Sequence, residues 1–261
     1  MDGRLKTPMQ LREIVVITDG RSNVGDSPAG AARIAHRKGI IVNAVGITDS
    51  DGAEEPFVEL DAIARAGGGI CDIIPLPRLG YSVQMVTRQS IQMTIERAVS
   101  RQLQKITGYS MEDIPPDSRA RVLEYIQRLG DEVDLKCVVA LDCSGSMKNK
   151  IRTAKNSIQD LLISLRARKG RSCLGMVAFP GGDGRDSRVV SSFTDNFEEL
   201  AVKLEGIKAG GPTPTYAGIM LSSRLFEEDN QLLYPAEIIA QRQIEAGERL
   251  PQGGDENPFI L

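Results

Sequence analysis

The residues Val139-Ala140-Leu141-Asp142-Cys143-Ser144-Gly145-Ser146 form an apolar run that stops at the pattern D-x-S-x-S. Three small oxygen-bearing side chains that follow a strand at this spacing can hold one hard cation. A further aspartate follows an apolar run far upstream, in Val16-Ile17-Thr18-Asp19-Gly20. Distant parts of the chain are therefore candidates for one shared site.

Composition limits the classes of partner. The chain has 261 residues, of which 41% are hydrophobic, so it can bury one ordinary core. Lysine and arginine number 32 against 35 acidic residues, a net charge of -3, which favours neither nucleic acid nor an anionic membrane as a partner. No apolar stretch approaches the roughly 18 residues that cross a bilayer, and the first residues carry no signal-peptide core. We therefore expect a cytoplasmic protein with no membrane contact.

Apolar runs alternate with helical patterns along the first half. The run at 13–18 is rich in β-branched residues, which is typical of a parallel strand covered on both faces. Runs at 40–47 and 70–74 predict two more strands, with helices at 28–36 and 57–66 between them. A long helical pattern at 81–107, closed by Gly108, ends this half.

The second half repeats the alternation. It predicts a strand at 133–141, a helix at 150–168, a hairpin-like strand pair at 172–179 and 188–193, and helices at 196–207 and 216–228. Between the halves, a short amphipathic helix at 116–129 is expected to stop at Gly130. This alternation predicts an α/β fold with a doubly wound, mostly parallel sheet flanked by helices.

The same patterns divide the chain into four parts. We assign one half of the fold to residues 10–108, a helical connector to 109–132, the other half to 133–228, and a partly disordered tail to 229–261. In an open α/β sheet, ligands bind at the carboxyl ends of the strands near a topological switch point. The D-x-S-x-S run and Asp19 both follow strands, so they can converge there.

Three segments resemble the three loops of the von Willebrand factor A (VWA) domain. They are D-x-S-x-S at 142–146, T-x-T-x-x-x-I at 213–219 and I-T-D-G at 17–20. In that family the loops form the metal-ion-dependent adhesion site (MIDAS), which holds a magnesium ion. The resemblance implies Ser144, Ser146 and Thr213 as direct ligands, with Asp142 and Asp19 direct or water-bridged. A narrower resemblance, to the YabS-type VWA proteins of endospore-forming bacteria, rests on overall order and similar loops.

The order of the segments departs from the family. An ordinary VWA chain runs from D-x-S-x-S through the threonine loop to I-T-D-G, whereas here I-T-D-G comes first. A circularly permuted domain that closes within one chain explains this order, and the connector is long enough to bridge the natural termini. A swapped homodimer is the second explanation, and a fragment of two tandem domains, which exposes strand edges, is the third. We favour closure within the chain.

The ligand types fit magnesium on chemical grounds. Mg²⁺ prefers six oxygen ligands and keeps several waters, so hydroxyls and two carboxylates suit it, with Mn²⁺ as an alternative. A coordination position left to water can be taken by a partner's carboxylate. The simpler explanation of D-x-S-x-S alone is a helix N-cap. The threonine loop and I-T-D-G, each in the expected strand context, favour a metal site.

We expect a protein-binding module that engages an Asp or Glu of a partner protein through this site. The alternatives are a magnesium-dependent hydrolase and a structural assembly module with a vacant site. The sequence carries no phosphate-binding glycine motif. Its one histidine, His36, lies in a helical pattern, and its four cysteines form no CxxC pair. These features argue against an enzyme, a zinc site and disulfides, so we expect no catalytic residues.

Overall fold

A computed structural model describes residues 10–48 and 57–229. The strands are β1 (Gln10–Thr18), β2 (Ile41–Thr48), β3 (Gly68–Pro75), β4 (Asp134–Asp142), β5 (Ser172–Phe179) and β6 (Arg188–Thr194). The helices are α1 (Pro28–Arg37), α2 (Phe57–Ala66), α3 (Leu79–Thr107), α4 (Pro116–Glu132), α5 (Ile151–Arg166), α6 (Phe197–Glu205) and α7 (Thr215–Glu228). Residues 230–261, most of the predicted tail, lie outside the described residues.

All six strands form one sheet in the order β3-β2-β1-β4-β5-β6. Five strands are parallel, and β6 runs antiparallel to β5, as the hairpin-like pair predicts. The four central strands are buried along almost their whole length because helices cover both faces. The predicted α/β class with a mostly parallel sheet flanked by helices is confirmed.

The two halves of the chain meet at the centre of the sheet. Strand β1 of the first half pairs with β4 of the second, from Gln10 opposite Asp134 to Ile17 opposite Leu141. Each half contributes three consecutive strands to the sheet. Both strands run in the same direction, so their carboxyl ends lie at one edge.

Two apolar layers hold the helices on the sheet. On one face, buried side chains of α3, α4, α5 and α6 pack against alternate residues of β1 and β4, including Val15, Ile17 and Val139. On the other face, α1, α2 and α7 pack against the intervening residues Ile14, Val16 and Val138. Because side chains alternate along a strand, each face receives its own apolar set.

The connector helix differs from its predicted end. The helix was expected to stop at Gly130, but α4 continues to Glu132. A Cβ at Gly130 would lie 3.9 Å from Ile91 and 4.0 Å from Ile95, both on α3. The glycine therefore lies at the α3–α4 contact at ordinary van der Waals distance. The helix continues past it, since the Val133 N–H still donates to Leu129 O at 2.8 Å.

Among the described helices, none combines the length and the apolar character that a bilayer span requires.

Candidate metal centre

Pairing of β1 with β4 brings the two predicted aspartates to the same edge of the sheet. Asp142 is the last residue of β4, and Asp19 directly follows β1. The register aligns Ile17 with Leu141, so the chain leaves the sheet at equivalent points on both strands. Residues 127 positions apart therefore become neighbours, as the Ser146–Asp19 hydrogen bond records.

A chain of oxygen atoms links the first two loops. The hydroxyls of Ser144 and Ser146 lie 3.0 Å apart, and the Ser146 hydroxyl donates to Asp19 Oδ1 at 2.7 Å. The two serines and one aspartate thus converge as the sequence predicts. Oxygen donors at this separation can share a single cation once their hydroxyl protons reorient.

Asp142 lies beneath these hydroxyls and is fully buried. Its Oδ1 accepts from the Ser144 backbone N–H at 2.7 Å, and its Oδ2 accepts from the Thr18 hydroxyl at 2.5 Å. Burial raises the pKa of Asp142 to about 6, although the bonds from Thr18 and Ser144 act in the opposite direction. The carboxyl group is thus fixed in place by both strands.

The threonine loop docks on both other loops through backbone groups. The Gly145 N–H donates to Gly211 O at 2.9 Å, and the Gly210 N–H donates to Cys143 O at 2.7 Å. On the opposite side, the Thr213 N–H donates to Asn23 Oδ1 at 2.8 Å. Thr213 is 5% exposed. These bonds place Thr213 between the D-x-S-x-S loop and the loop after Asp19.

Comparison with known proteins gives the family. The model for the von Willebrand factor type A domain matches residues 137–240. The protein named "Uncharacterized protein YabS" of Bacillus subtilis (strain 168) is 34% identical over 221 residues, which are 84% of this chain and 90% of the relative. The chain belongs to the von Willebrand factor type A family. The predicted family and the narrower YabS resemblance are both confirmed.

One solved structure shares the fold of this chain. A crystal structure of an uncharacterized protein from Alicyclobacillus acidocaldarius subsp. acidocaldarius has a TM-score of 0.78 and 41% identity, covering 84% of this chain and 95% of that one. Proximal thread matrix protein 1 from the mussel byssus, in a structure with a zinc-occupied MIDAS motif, has a TM-score of 0.24 and 16% identity. That second likeness is too low to support a conclusion about this chain.

The VWA family match contains Asp142, both serines and Thr213, but it begins at Cys137 and leaves Asp19 outside. The position of Asp19 in the site therefore rests on the β1–β4 pairing and on its bond to Ser146. The matched range covers four of the five predicted ligands, and the geometry brings Asp19 to the hydroxyl of Ser146.

The side chains of the cluster fit a hard divalent ion. The donors are hydroxyl and carboxylate oxygens, which Mg²⁺ and Mn²⁺ prefer over softer ligands. Within residues 10–48 and 57–229 there is no group of three or more His, Cys, Asp or Glu side chains that could hold a metal. The cluster described above instead combines carboxylates with the Ser144 and Ser146 hydroxyls.

Sequence reasoning missed three residues that hold the loops. Thr18 donates to Asp142, Asn23 accepts from Thr213, and Lys150 Nζ donates to Asp19 Oδ2 at 2.7 Å. Thr18 could have been found as the residue before Asp19, because it lies at the same strand end. Nothing local marks Lys150, which follows the D-x-S-x-S loop as one of several lysines, at the predicted start of a helix.

A small cleft adjoins the metal loops. Its volume is about 290 Å³, and its wall includes Cys143, which lies between Asp142 and Ser144. Three cationic side chains, Arg185, Arg188 and Lys208, line it together with one acidic residue, Asp183. Burial raises the pKa of the Cys143 thiol to about 12, so this cysteine is a packed thiol and a poor nucleophile.

Proposed function

We propose that this VWA protein is a metal-ion-dependent protein-binding module. Its MIDAS-type site would hold Mg²⁺, with Mn²⁺ as an alternative, through Ser144, Ser146, Thr213, Asp142 and Asp19. A bound ion supplies a Lewis-acid position that a carboxylate of a partner can occupy. The observation that carries the proposal is the continuous contact of Ser144, Ser146 and Asp19 across two strands far apart in sequence.

The partner is a protein that presents Asp or Glu. Two positive charges beside the site support an acidic partner. Arg185 and Lys208 line the adjoining cleft, and both side chains are exposed. Exposed cations next to a binding site raise the local concentration of acidic ligands and favour their docking over basic ones. The nearby Asp183 offsets only part of this charge, at 3.7 Å from Arg185.

A selection experiment tests this function without a known partner. Short random peptides displayed on phage are selected on immobilised protein in magnesium and eluted with chelator. We expect enrichment of Asp or Glu in the wild-type pool and no enrichment on Asp142→Ala. Peptides that lack acidic residues, or that stay bound in chelator, would contradict the proposal.

We propose that the site binds without catalysing a reaction. The thiol of Cys143 beside it is poorly placed for nucleophilic attack, because the residue is 2% exposed and its Sγ donates to Leu141 O at 3.5 Å. A screen of phosphate and nucleotide esters in magnesium tests this directly. Turnover that disappears in Asp142→Ala would establish a hydrolase and overturn our preference.

We also propose a cytoplasmic monomer whose circularly permuted sheet closes within one chain. The four cysteines are free, and two of them are fully buried or nearly so, which suits a reducing compartment. Pairing of β1 with β4 in one chain supports closure without a second copy. Light scattering over a range of concentrations should give the mass of one chain; the mass of two chains would instead support the swapped homodimer.

A further inference from the structure

Lys150 is a buried lysine at the edge of the site. It lies between the turn that carries Ser146 and the start of α5, and only 7% of its surface is exposed. Its backbone is held on both sides, because Lys150 N–H donates to Met147 O at 2.8 Å and Lys150 O accepts from Ala154 N–H at 3.0 Å. The backbone of Lys150 is therefore fixed at the junction of the turn and α5.

The ammonium group of Lys150 contacts a predicted metal ligand directly. Lys150 Nζ lies 2.7 Å from Asp19 Oδ2, with side-chain exposures of 9% and 1% for the two partners. The other oxygen, Oδ1, accepts from Ser146 at 2.7 Å. The two carboxylate oxygens of Asp19 therefore have different partners: Oδ1 accepts from the Ser146 hydroxyl, and Oδ2 contacts the Lys150 ammonium.

We propose that Lys150 is a positioning residue that sets the charge of the metal site and lowers its affinity for the ion. The inference rests on the proposed function, since it assumes that the site holds a divalent cation. Two ionised aspartates alone would cancel a divalent charge completely. With the lysine present, the loaded group keeps one net positive charge, which remains available to a partner's carboxylate.

The same lysine stabilises the protein without metal. A buried carboxylate that loses its counter-ion is strongly destabilising, so Lys150 takes the place of part of the metal charge when no ion is bound. The two effects have opposite signs: removal of the ammonium weakens the metal-free fold and strengthens metal binding. A purely structural ion pair predicts only the first effect.

Calorimetric titration of Mg²⁺ and Mn²⁺ into metal-stripped protein tests the proposal with Lys150→Met and a matched control, Lys148→Met. Lys148 is exposed and lies in the same short turn. We expect about tenfold tighter metal binding in Lys150→Met, because a unit positive charge beside the ion is removed, and a change below about twofold in Lys148→Met. Lys150→Arg keeps the charge and should bind metal like wild type.

Thermal unfolding with and without metal gives the second measurement. Lys150→Met should have a lower Tm than wild type without metal and a larger rise in Tm on saturation. Equal or weaker metal binding in Lys150→Met, while wild type binds, would overturn this inference alone. No metal binding by wild type would overturn the proposed function as well. If Lys150→Met does not fold, the milder Lys150→Gln carries the same expectations.

Discussion

Strand β1 leads to two buried carboxyl groups in different surroundings. Glu13 lies within the strand and is fully buried; the Asn43 amide donates to its Oε2 at 3.4 Å, and the charge of Arg168 acts from farther away. Asp19 lies just beyond the strand and touches the ammonium of Lys150 and the hydroxyl of Ser146. Burial raises the pKa of Glu13 to about 8, so this acid is protonated at neutral pH.

The difference shows what separates a core acid from a site acid. Burial alone favours the neutral form of a carboxyl group and removes it as a ligand for a cation. A ligand must keep its negative charge, and a fixed cation or several donors can stabilise that charge before a metal arrives.

Loss of a site acid should abolish metal binding, whereas loss of the core acid should not. We expect Asp142→Ala to weaken Mg²⁺ and Mn²⁺ binding by more than about 100-fold, because the buried carboxylate that anchors the first loop is gone. Glu13→Gln is the matched control and should bind metal like wild type. Calorimetry measures both, and equal heats in Asp142→Ala and wild type would contradict the assignment of the site.

The core acid should instead control the pH dependence of folding. The folded pKa of Glu13 is raised from 4.5 to about 8, so its favourable contribution is complete below pH 4.5 and is lost as pH rises through 8. The loss is on the order of 5 kcal/mol at about 1.4 kcal/mol per pKa unit. Urea unfolding of metal-free protein at several pH values should show this decline in wild type.

Glu13→Gln should remove most of that decline, because the amide does not titrate. The exposed Glu205→Gln is the control and should keep the wild-type slope. A steep decline that persists in Glu13→Gln would show that another group controls the pH dependence.

A hydroxyl that supports a site acid should matter for metal binding. Thr18→Val keeps the shape of a side chain that is fully buried and removes its bond to Asp142. We expect about tenfold weaker metal binding, as for other supporting partners of metal ligands. Thr87→Val, which removes a buried hydroxyl that donates to Val83 O on α3, should leave metal affinity unchanged. Equal metal affinities in the two variants would show that the Thr18 hydroxyl does not contribute to metal binding.

The smallest effect should come from the cleft. The double variant Arg185→Gln with Lys208→Gln should weaken binding of a magnesium-selected acidic peptide by roughly fivefold, with metal affinity unchanged, because these exposed charges act on the partner only. Arg128→Gln with Lys169→Gln changes two exposed charges away from the cleft lining and serves as control. Fluorescence anisotropy measures the peptide affinity. An equal loss of affinity in both double variants would show that the overall charge of the protein, and not the charge of the cleft, attracts the peptide.

Much of the fold could be predicted because its strands are short, continuous apolar runs. The predicted strand at 172–179 and helix at 57–66 match β5 and α2, and the other elements differ mainly at their ends. The three loops of the site could be located because each follows or precedes such an element. The helix end predicted at Gly130 is wrong. Glycine commonly ends helices, and a local pattern does not reveal that this glycine lies against α3.

The supporting contacts could not be predicted. Thr18 and Asp142 are 124 residues apart, and Lys150 and Asp19 are 131 apart. Both contacts depend on β1 and β4 being neighbours, which the order of elements along the chain does not specify. A lysine near a D-x-S-x-S loop has many partners available until the sheet order is known. Only the folded structure therefore identifies the side chains that hold the proposed ligands.

The central pairing of β1 with β4 also has a consequence for biosynthesis. On the ribosome, Asp19 and its strand leave the exit tunnel long before the strand that must lie beside them, and domains are made at about 5 to 20 residues per second. The first three strands therefore wait for several seconds with an open edge at the middle of the future sheet. Strand edges of this kind can pair with other chains, so we expect the nascent chain to be most exposed to aggregation until β4 is made.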